Sequence, residues 1–401
     1  MSNPSQSDLS PSTPEGRAAL GLFQLSPELV HLNHGSYGAV PKVVSAEQDR
    51  WRVHIESNAT GFFRDELPGE LRRLAGIAAE RFGGKANDWV FCENATAAVN
   101  SVLASFGLRE GDEIVTTSHA YGAVMKAMRI WTARFGATVA VAQVPLVVES
   151  EEQVVQAIAK SFSDRTKLLI VDHITSATAM IFPVAEIVKA AHTRGIAVLV
   201  DGAHVPGHLP LSVEAIGADW YTGNAHKWLF APKGCGLLWT APRRQAQTLP
   251  VVLSHGAPDG YTHAFDWIGT RDVTPWLCFE AAARFHDSLG GESLVTRNRD
   301  LAAKASETLA DELGMIVTAP VTMRGAMACL TSRPSPVEPG RAASFIARIR
   351  ECCGAIIPAY VFEDAFCIRI SAQIYNEMHD YESLAKAFPT ALQQCLKLSH
   401  L

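Results

Sequence analysis

The stretch YTGNAHKWLFAPKGCGLLW, residues 221–239, surrounds Lys227 with small residues, a histidine and an apolar run. His226 precedes this lysine and the run 228–230 follows it. An ordinary lysine keeps its hydrated ammonium group among polar neighbours, so this setting is unusual for a solubilising residue. The glycines of the stretch permit a close backbone approach to a bound molecule. The pattern therefore indicates a lysine with a chemical task.

The composition indicates a globular protein of roughly two domains. The chain has 401 residues, of which 48% are hydrophobic and 19% are charged. Its net charge of −6 gives no electrostatic footprint for nucleic acid, and no apolar run is long enough to span a membrane. We therefore expect no nucleic-acid partner and no membrane partner. The polar N-terminus has no signal-peptide pattern, which predicts a cytoplasmic protein.

Eight cysteines are scattered along the chain without CxxC spacing, and only Cys352 and Cys353 are adjacent. In a reducing compartment this pattern favours buried thiols over a disulfide framework or a metal site. The sequence therefore predicts no metal ligands.

From about residue 85 to 240, short apolar runs alternate with helical patterns. Runs such as TKLLIVDH (166–173) and IAVLVDGAH (196–204) indicate a mostly parallel sheet that is covered on both faces. This predicts an α/β domain whose ligands bind beyond the carboxyl ends of the strands. The later pattern is typical of a smaller α+β domain. We predict four segments: a mobile N-terminal arm (1–25), a segment packing on the small domain (26–60), a large cofactor-binding domain (61–275) and a small C-terminal domain (276–401).

Polar residues stand where strands end and where one helix begins. Asp201 follows the strand IAVLV, and His119 ends the predicted strand 112–119. Asn94, Ala95 and Thr96 precede an apolar helix, whose first-turn amides would form an anion site beside a hydroxyl. Taken singly, each feature has a structural explanation: a capping aspartate, a partly buried histidine and an ordinary N-cap.

A lysine, a strand-end acid and an anion site together match the needs of one cofactor, pyridoxal phosphate. Its aldehyde needs an amine, which we predict to be that of Lys227. Its ring nitrogen needs an acid that keeps it protonated, and Asp201 is the candidate. Lys227, once freed by an incoming amino group, would carry protons.

Six blocks of the chain resemble the class V aminotransferase family, which are pyridoxal-phosphate enzymes of fold type I. The resemblance runs in order along nearly the whole chain after about residue 25 and is greatest for the isopenicillin N epimerase-like branch. It implies the cofactor and the fold. The blocks are HLNHGSYGAVP (31–41), NATAAVN (94–100), DHITSATAMIFPV (172–184), VDGAHVPGHLPLSVEAIGADWYTGNAHKWLFAPKGCGLLW (200–239), GTRDVTPW (269–276) and RISAQIYN (369–376).

The resemblance also implies roles for single residues. Lys227 matches the Schiff-base lysine, with Lys233 as a rival, and the catalytic set is Lys227, Asp201 and His119. Arg369 matches the clamp for the substrate α-carboxylate, a task suited to a planar bidentate group. Further cofactor-binding residues are Asn94, Ala95, Thr96, Thr175, Ser176, His204, Asn224, His226 and Thr270, and Asn33 and His34 would line the substrate entrance.

Two of these matches carry a qualification. The family often has asparagine where this chain has Thr175 and Ser176, which leaves the partner of the ring hydroxyl open, with His204 nearby. Thr270 matches a phosphate contact from a neighbouring subunit, so the resemblance implies a homodimer with shared active sites.

The reaction implied is chemistry at the Cα of an amino acid bound to the cofactor as a Schiff base, and the favoured prediction is epimerisation or racemisation. The alternatives are a Cβ–S lyase or cysteine desulfurase, then an aminotransferase. A desulfurase needs a nucleophilic cysteine, but Cys352 and Cys353 are predicted to stand in the last turn of a helix that ends at Gly354. A pyridoxal-phosphate-binding regulator without turnover is the non-enzyme alternative, and the presence of Arg369 weighs against it.

Overall fold

Thirteen strands form three sheets in the computed structural model, which describes residues 14–397. The strands are β1 (Val30–His31), β2 (Trp89–Cys92), β3 (Glu113–Thr117), β4 (Thr138–Ala142), β5 (Thr166–Asp172), β6 (Ala197–Gly202), β7 (Trp220–Asn224), β8 (Gly236–Thr240), β9 (Ile316–Val317), β10 (Met327–Ser332), β11 (Ala355–Ile356), β12 (Ala359–Phe362) and β13 (Ala365–Ser371).

Helices cover the sheets and connect most of the strands. They are α1 (His34–Tyr37), α2 (Lys42–Ser57), α3 (Ala59–Gly61), α4 (Leu67–Phe82), α5 (Ala95–Ser105), α6 (Gly122–Phe135), α7 (Glu151–Ala159), α8 (Val184–His192), α9 (Val213–Ile216), α10 (Pro242–Gln245), α11 (Tyr261–Asp266), α12 (Thr274–Leu277), α13 (Phe279–Ser288), α14 (Glu292–Leu313), α15 (Ala342–Cys353) and α16 (Met378–Lys397).

The seven-stranded sheet has the order β2-β8-β7-β6-β5-β3-β4. Strand β8 runs antiparallel to both of its neighbours, β2 and β7, and the other six strands of this sheet share one direction. Every residue of β6 and β7 is buried, which explains why residues 197–200 of β6 are apolar without alternation. The predicted α/β fold with a mostly parallel sheet is confirmed. Its carboxyl edge gathers the ends of β5, β6 and β7, where ligands of such sheets bind.

A second, antiparallel sheet has the order β12-β13-β10-β9 and packs with α14, α15 and α16. Its core is a separate cluster of buried side chains that includes Phe345, Ile368 and Tyr381. The short strand β1 pairs in parallel with β11, so the chain near residue 30 contacts this smaller unit. The residue boundaries predicted for the two domains stay predictions.

The N-terminal arm predicted for residues 1–25 falls partly outside the described residues, which begin at 14. The described part does not extend as an arm: Gly16–Leu22 forms a 3-10 helix, and the side chains of Ala19 and Phe23 are fully or almost fully buried. Phe23 packs against Phe230 and Tyr375, with ring centroids 5.7 and 5.3 Å apart. Burial of these apolar side chains therefore holds this segment against the core. The polar residues before it led to the prediction of an arm.

Among the described residues, no helix is long and apolar enough to cross a membrane.

Candidate active site

A cavity of about 720 Å³ opens at the carboxyl edge of the seven-stranded sheet. Strands β12 and β13 of the smaller sheet contribute Tyr360 and Arg369 to its opposite wall. The cavity brings together most of the residues predicted from the sequence. Those that line it are Asn94, Ala95, Thr96, His119, Ser176, Asp201, His204, Asn224, His226, Lys227 and Arg369.

Lys227 lies in the turn after β7 and is half-buried because its side chain opens onto the cavity. Its Nζ lies 3.1 Å from Nε2 of His204. Desolvation by the surrounding protein, together with the positive charge of Arg369, lowers the pKa of Lys227 to about 7. The amine is therefore partly neutral near pH 7, which is the form that attacks an aldehyde or accepts a proton.

Asp201 ends β6 and is buried in the floor of the cavity. Its Oδ1 accepts a hydrogen bond from the backbone N–H of Ala203 at 3.0 Å. Burial raises the pKa of Asp201, while this amide and the charge of Lys227 act in the opposite direction. The position and chemistry suit a carboxylate that shares a proton with a basic ring nitrogen.

His204 is almost fully buried beside Lys227. Burial lowers its pKa well below the ordinary value, and the charge of Lys227 adds to this effect, so the ring is neutral. Its Nδ1 is buried without a hydrogen-bond partner in the described part of the chain. Buried polar atoms in native proteins nearly always have a partner, so this nitrogen indicates a missing polar group.

The N-terminus of α5 forms one end of the cavity. The side chain of Asn94 accepts a hydrogen bond from the amide of Ala97, and Oδ1 of Asn224 accepts one from the amide of Ala95 at 2.8 Å. The amide of Thr96 has no acceptor among the described residues. This helix end supplies a free donor and the positive pole of the helix dipole, which suit a phosphate.

Arg369 lies on β13 and is buried. Its Nη2 donates to Oδ1 of Asn33 at 3.0 Å and to Oγ of Ser36 at 2.9 Å, and its Nη1 donates to the carbonyl of Ser176. Its Nε has no acceptor among the described residues. Three of the five N–H groups of the guanidinium are thus engaged, which holds it in place and leaves two N–H groups for an anion.

His119 is fixed by two hydrogen bonds, from Nδ1 to Oγ1 of Thr178 at 2.7 Å and from Nε2 to the carbonyl of Val144 at 3.1 Å. Thr175 contacts the same Thr178 hydroxyl at 2.7 Å. Thr175 does not line the cavity and is connected to it only by hydrogen bonds that run from Thr175 to Thr178 and from Thr178 to His119. Ser176, the next residue, does line it.

The other predicted residues lie outside the cavity wall. His34 is buried, with Nδ1 2.8 Å from the hydroxyl of Tyr375 and Nε2 3.1 Å from the carbonyl of Lys227. Asn33 contacts Arg369, as described above, and Thr270 is exposed. Lys233, the rival of Lys227, donates to the carbonyl of Gly38 and lines a different cavity.

Several cavity residues were missed by the sequence reasoning: Ser36, Tyr37, Tyr121, Asp172 and Tyr360. Asp172 is the last residue of β5, and Asp201 stands at the end of β6. Asp172 could therefore have been predicted in the same way, as a polar residue at the end of a buried strand. Ser36 and Tyr37 belong to the block 31–41, whereas Tyr121 and Tyr360 lie in no motif and only the fold brings them to the cavity.

The residues fit pyridoxal phosphate. Lys227 would bind its aldehyde carbon, Asp201 its ring nitrogen and the N-terminus of α5 its phosphate, and the unpartnered Nδ1 of His204 matches a ring hydroxyl. A mostly parallel sheet with these groups at its carboxyl edge defines an enzyme of fold type I that depends on pyridoxal phosphate.

The chain belongs to the aminotransferase class-V family, whose sequence model matches residues 78–384. The predictions of family, cofactor and enzymatic nature are confirmed, which sets aside the alternative of a regulator without turnover.

Known relatives share the family but differ in the reaction they are named for. Isopenicillin N epimerase from Streptomyces clavuligerus is 30% identical over 389 residues, which cover 92% of this chain and 96% of that protein. A protein from Oryza sativa subsp. japonica, named putative L-cysteine desulfhydrase 1, is 29% identical and covers 92% of this chain and 86% of its own length. A solved structure of a C-DES mutant with glycine covalently linked to its PLP cofactor has a TM-score of 0.78 at 21% identity, covering 92% of this chain and 98% of that one.

Proposed function

We propose that the protein is an amino-acid epimerase or racemase, which removes the Cα proton and returns a proton to the opposite face. The similarity to isopenicillin N epimerase over 92% of the chain supports this reaction. The observation that carries the proton transfer is the state of Lys227, whose Nζ faces the cavity 3.1 Å from a neutral histidine and whose pKa is lowered to about 7. Such an amine is suited to accept the Cα proton on its own face, and the proton that is added to the opposite face comes from solvent.

Each proposed role follows from a position in the cavity. Pyridoxal phosphate, when bound, supplies an electron sink that makes the Cα proton of an amino acid acidic. Asp201 would hold the proton of the ring nitrogen, and Lys227 would take the proton from Cα. Arg369 lines the cavity and would orient the substrate by binding the substrate's α-carboxylate.

A Cβ–S lyase is the second candidate, because relatives named L-cysteine desulfhydrase are nearly as similar, at 29% identity. Such a reaction begins with the same proton transfer to Lys227 and ends with loss of a sulfur group from Cβ. A persulfide-forming desulfurase has less support. Cys352 and Cys353 end α15, where the Sγ of Cys353 donates to the carbonyl of Ile349 at 3.4 Å and that of Cys352 faces Gln394 at 3.9 Å.

Product analysis separates these reactions. The purified, cofactor-loaded protein is incubated with a panel of L- and D-amino acids that includes L-cysteine and amino acids with long polar side chains. Chiral chromatography that detects the opposite enantiomer, with no keto acid and no sulfide, would support epimerisation. Equal amounts of pyruvate and sulfide from L-cysteine, without an inverted product, would establish the lyase instead.

We further propose that the active unit is a homodimer. Tyr37 lines the cavity although 74% of its surface is exposed, and the loop that carries Thr270 is also exposed. A second copy that covers these positions would complete the cavity and bring its own Thr270 toward the phosphate site.

A further inference from the structure

Two aspartates, Asp172 and Asp201, end neighbouring parallel strands side by side. They are partners in the register of β5 and β6, both line the cavity, and each is only 5% exposed. Partner residues on adjacent strands point to the same face, and the strands lie about 4.8 Å apart. Two carboxyl groups therefore lie side by side, and both are almost fully shielded from solvent.

The groups around this pair do not provide enough positive charge to ionise both members fully. Lys227 is the nearby cation that favours both carboxylates, but its own proton is weakly held. His119 and His204 line the same cavity and His173 follows Asp172 in the chain, and burial lowers the pKa of each, so all three are neutral.

Backbone amides supply the remaining stabilisation. The N–H of Ala203 donates to Asp201, and the backbone of Tyr121, just before α6, faces Asp172. Burial raises the pKa of Asp172 well above its ordinary value, and the charge of Asp201 raises it further. Like charges at this spacing do not both persist in a poorly hydrated site, so one member holds the proton.

We propose that Asp172 is the proton-carrying half of an acid pair with Asp201, and that it acts as a positioning residue by confining the negative charge of the pair to Asp201. A single, localised charge at Asp201 is what a protonated ring nitrogen requires. Asp172 would also limit the pH range over which that arrangement persists, because its ionisation would place a second negative charge beside the first. This inference rests on the role proposed for Asp201, but not on whether the enzyme inverts Cα or cleaves a Cβ–S bond.

Infrared spectroscopy tests the proton directly. The full-length, cofactor-loaded wild-type protein and Asp172→Asn are compared at neutral pH, and the expected difference spectrum contains a protonated-carboxyl band that the variant lacks. A difference spectrum that shows only an ionised carboxylate lost in Asp172→Asn would overturn the proposal. An enzyme found to produce pyruvate and sulfide would refute epimerisation but would leave this band in place.

The pH dependence of stability provides an independent test with a matched control. A carboxyl whose folded pKa is raised destabilises the protein increasingly as pH rises above its unfolded pKa, so Asp172→Asn should raise Tm by about 2–4 °C at pH 8 and by less at pH 5. Asp219 is the control. It is also buried, but hydrogen bonds from Arg244 and the Val198 amide outweigh burial and lower its pKa, so Asp219→Asn should lower Tm at pH 8 and lose this effect toward acid pH. Equal losses of Tm at every pH for Asp172→Asn would assign Asp172 a purely structural role.

Discussion

Nζ of Lys227 lies 3.1 Å from Nε2 of His204, a histidine that burial keeps neutral. A neutral neighbour exchanges hydrogen bonds with the amine in either protonation state. We predict that the cofactor-free protein takes up pyridoxal phosphate at a rate that rises with pH through about 7 and then levels off, because only the neutral amine attacks an aldehyde. An ordinary lysine has a pKa of about 10.4, so its uptake rate would have its midpoint near that pH. Stopped-flow absorbance at a series of pH values measures this dependence.

Lys233 supplies the control for that experiment, because it lies six residues further along the chain but lines a different cavity. Lys233→Ala should leave the profile unchanged, whereas Lys227→Ala should abolish covalent uptake. Cofactor fixed to Lys233 after borohydride reduction and peptide mapping would contradict the assignment.

Arg369 should control the binding of the substrate by contacting the substrate's α-carboxylate. Replacement by lysine keeps the charge but loses the planar fork and the contacts to Asn33 and Ser36, so we expect kcat/KM to fall about 10–100-fold, mostly through KM. Steady-state kinetics with an amino acid and with its carboxamide measure the effect, which should be absent for the carboxamide. Arg333→Lys, at an exposed arginine paired with Glu363, is the matched control. A loss of the same size for both substrates would argue against a carboxylate clamp.

Asp201→Asn should retain cofactor and lose turnover. Asparagine has nearly the same shape but cannot hold a proton on a ring nitrogen, so we expect kcat to fall by about 10²–10⁴. The bound cofactor is quantified by absorbance after alkaline release, and turnover is measured on the same sample. Activity within a few-fold of wild type, at full cofactor content, would remove Asp201 from the mechanism.

Thr270 tests the proposed assembly. If it reaches the phosphate site of a partner subunit, Thr270→Ala should weaken cofactor affinity about 3–10-fold, the equivalent of one net hydrogen bond, without changing Tm of the cofactor-free protein. Light scattering should give the mass of a dimer at assay concentrations. A fully active monomer would contradict the shared site.

Most of the fold could be predicted from the sequence because β5 and β6 contain short apolar runs between helices, and burial on both faces imposes that pattern. Asp201 could be located because it directly follows such a run. The pairing of Asp172 with Asp201 could not be predicted, since it depends on β5 and β6 being neighbours in the sheet order.

Side-chain contacts between distant parts of the chain also could not be predicted from the sequence. Ser36 and Asn33 hold a guanidinium that stands 333 and 336 residues further along the chain. His34 was expected at the substrate entrance, but the ring lies behind Lys227 and contacts its carbonyl. Ser36 and Tyr37, at the end of α1, line the cavity instead, and only the packing of α1 decides which side chains of this block face it.

The exchange of the Cα proton tests the central claim most directly. Wild-type enzyme is incubated in deuterium oxide with a single enantiomer of an amino acid that is a substrate. The two enantiomers recovered are separated by chiral chromatography, and the mass of each is measured by mass spectrometry. The account predicts that the inverted enantiomer carries one deuterium at Cα and that Lys227→Ala forms none of it, even when the cofactor is bound. Inversion without deuterium, or undiminished exchange in Lys227→Ala, would contradict the role of Lys227 as the residue that moves this proton.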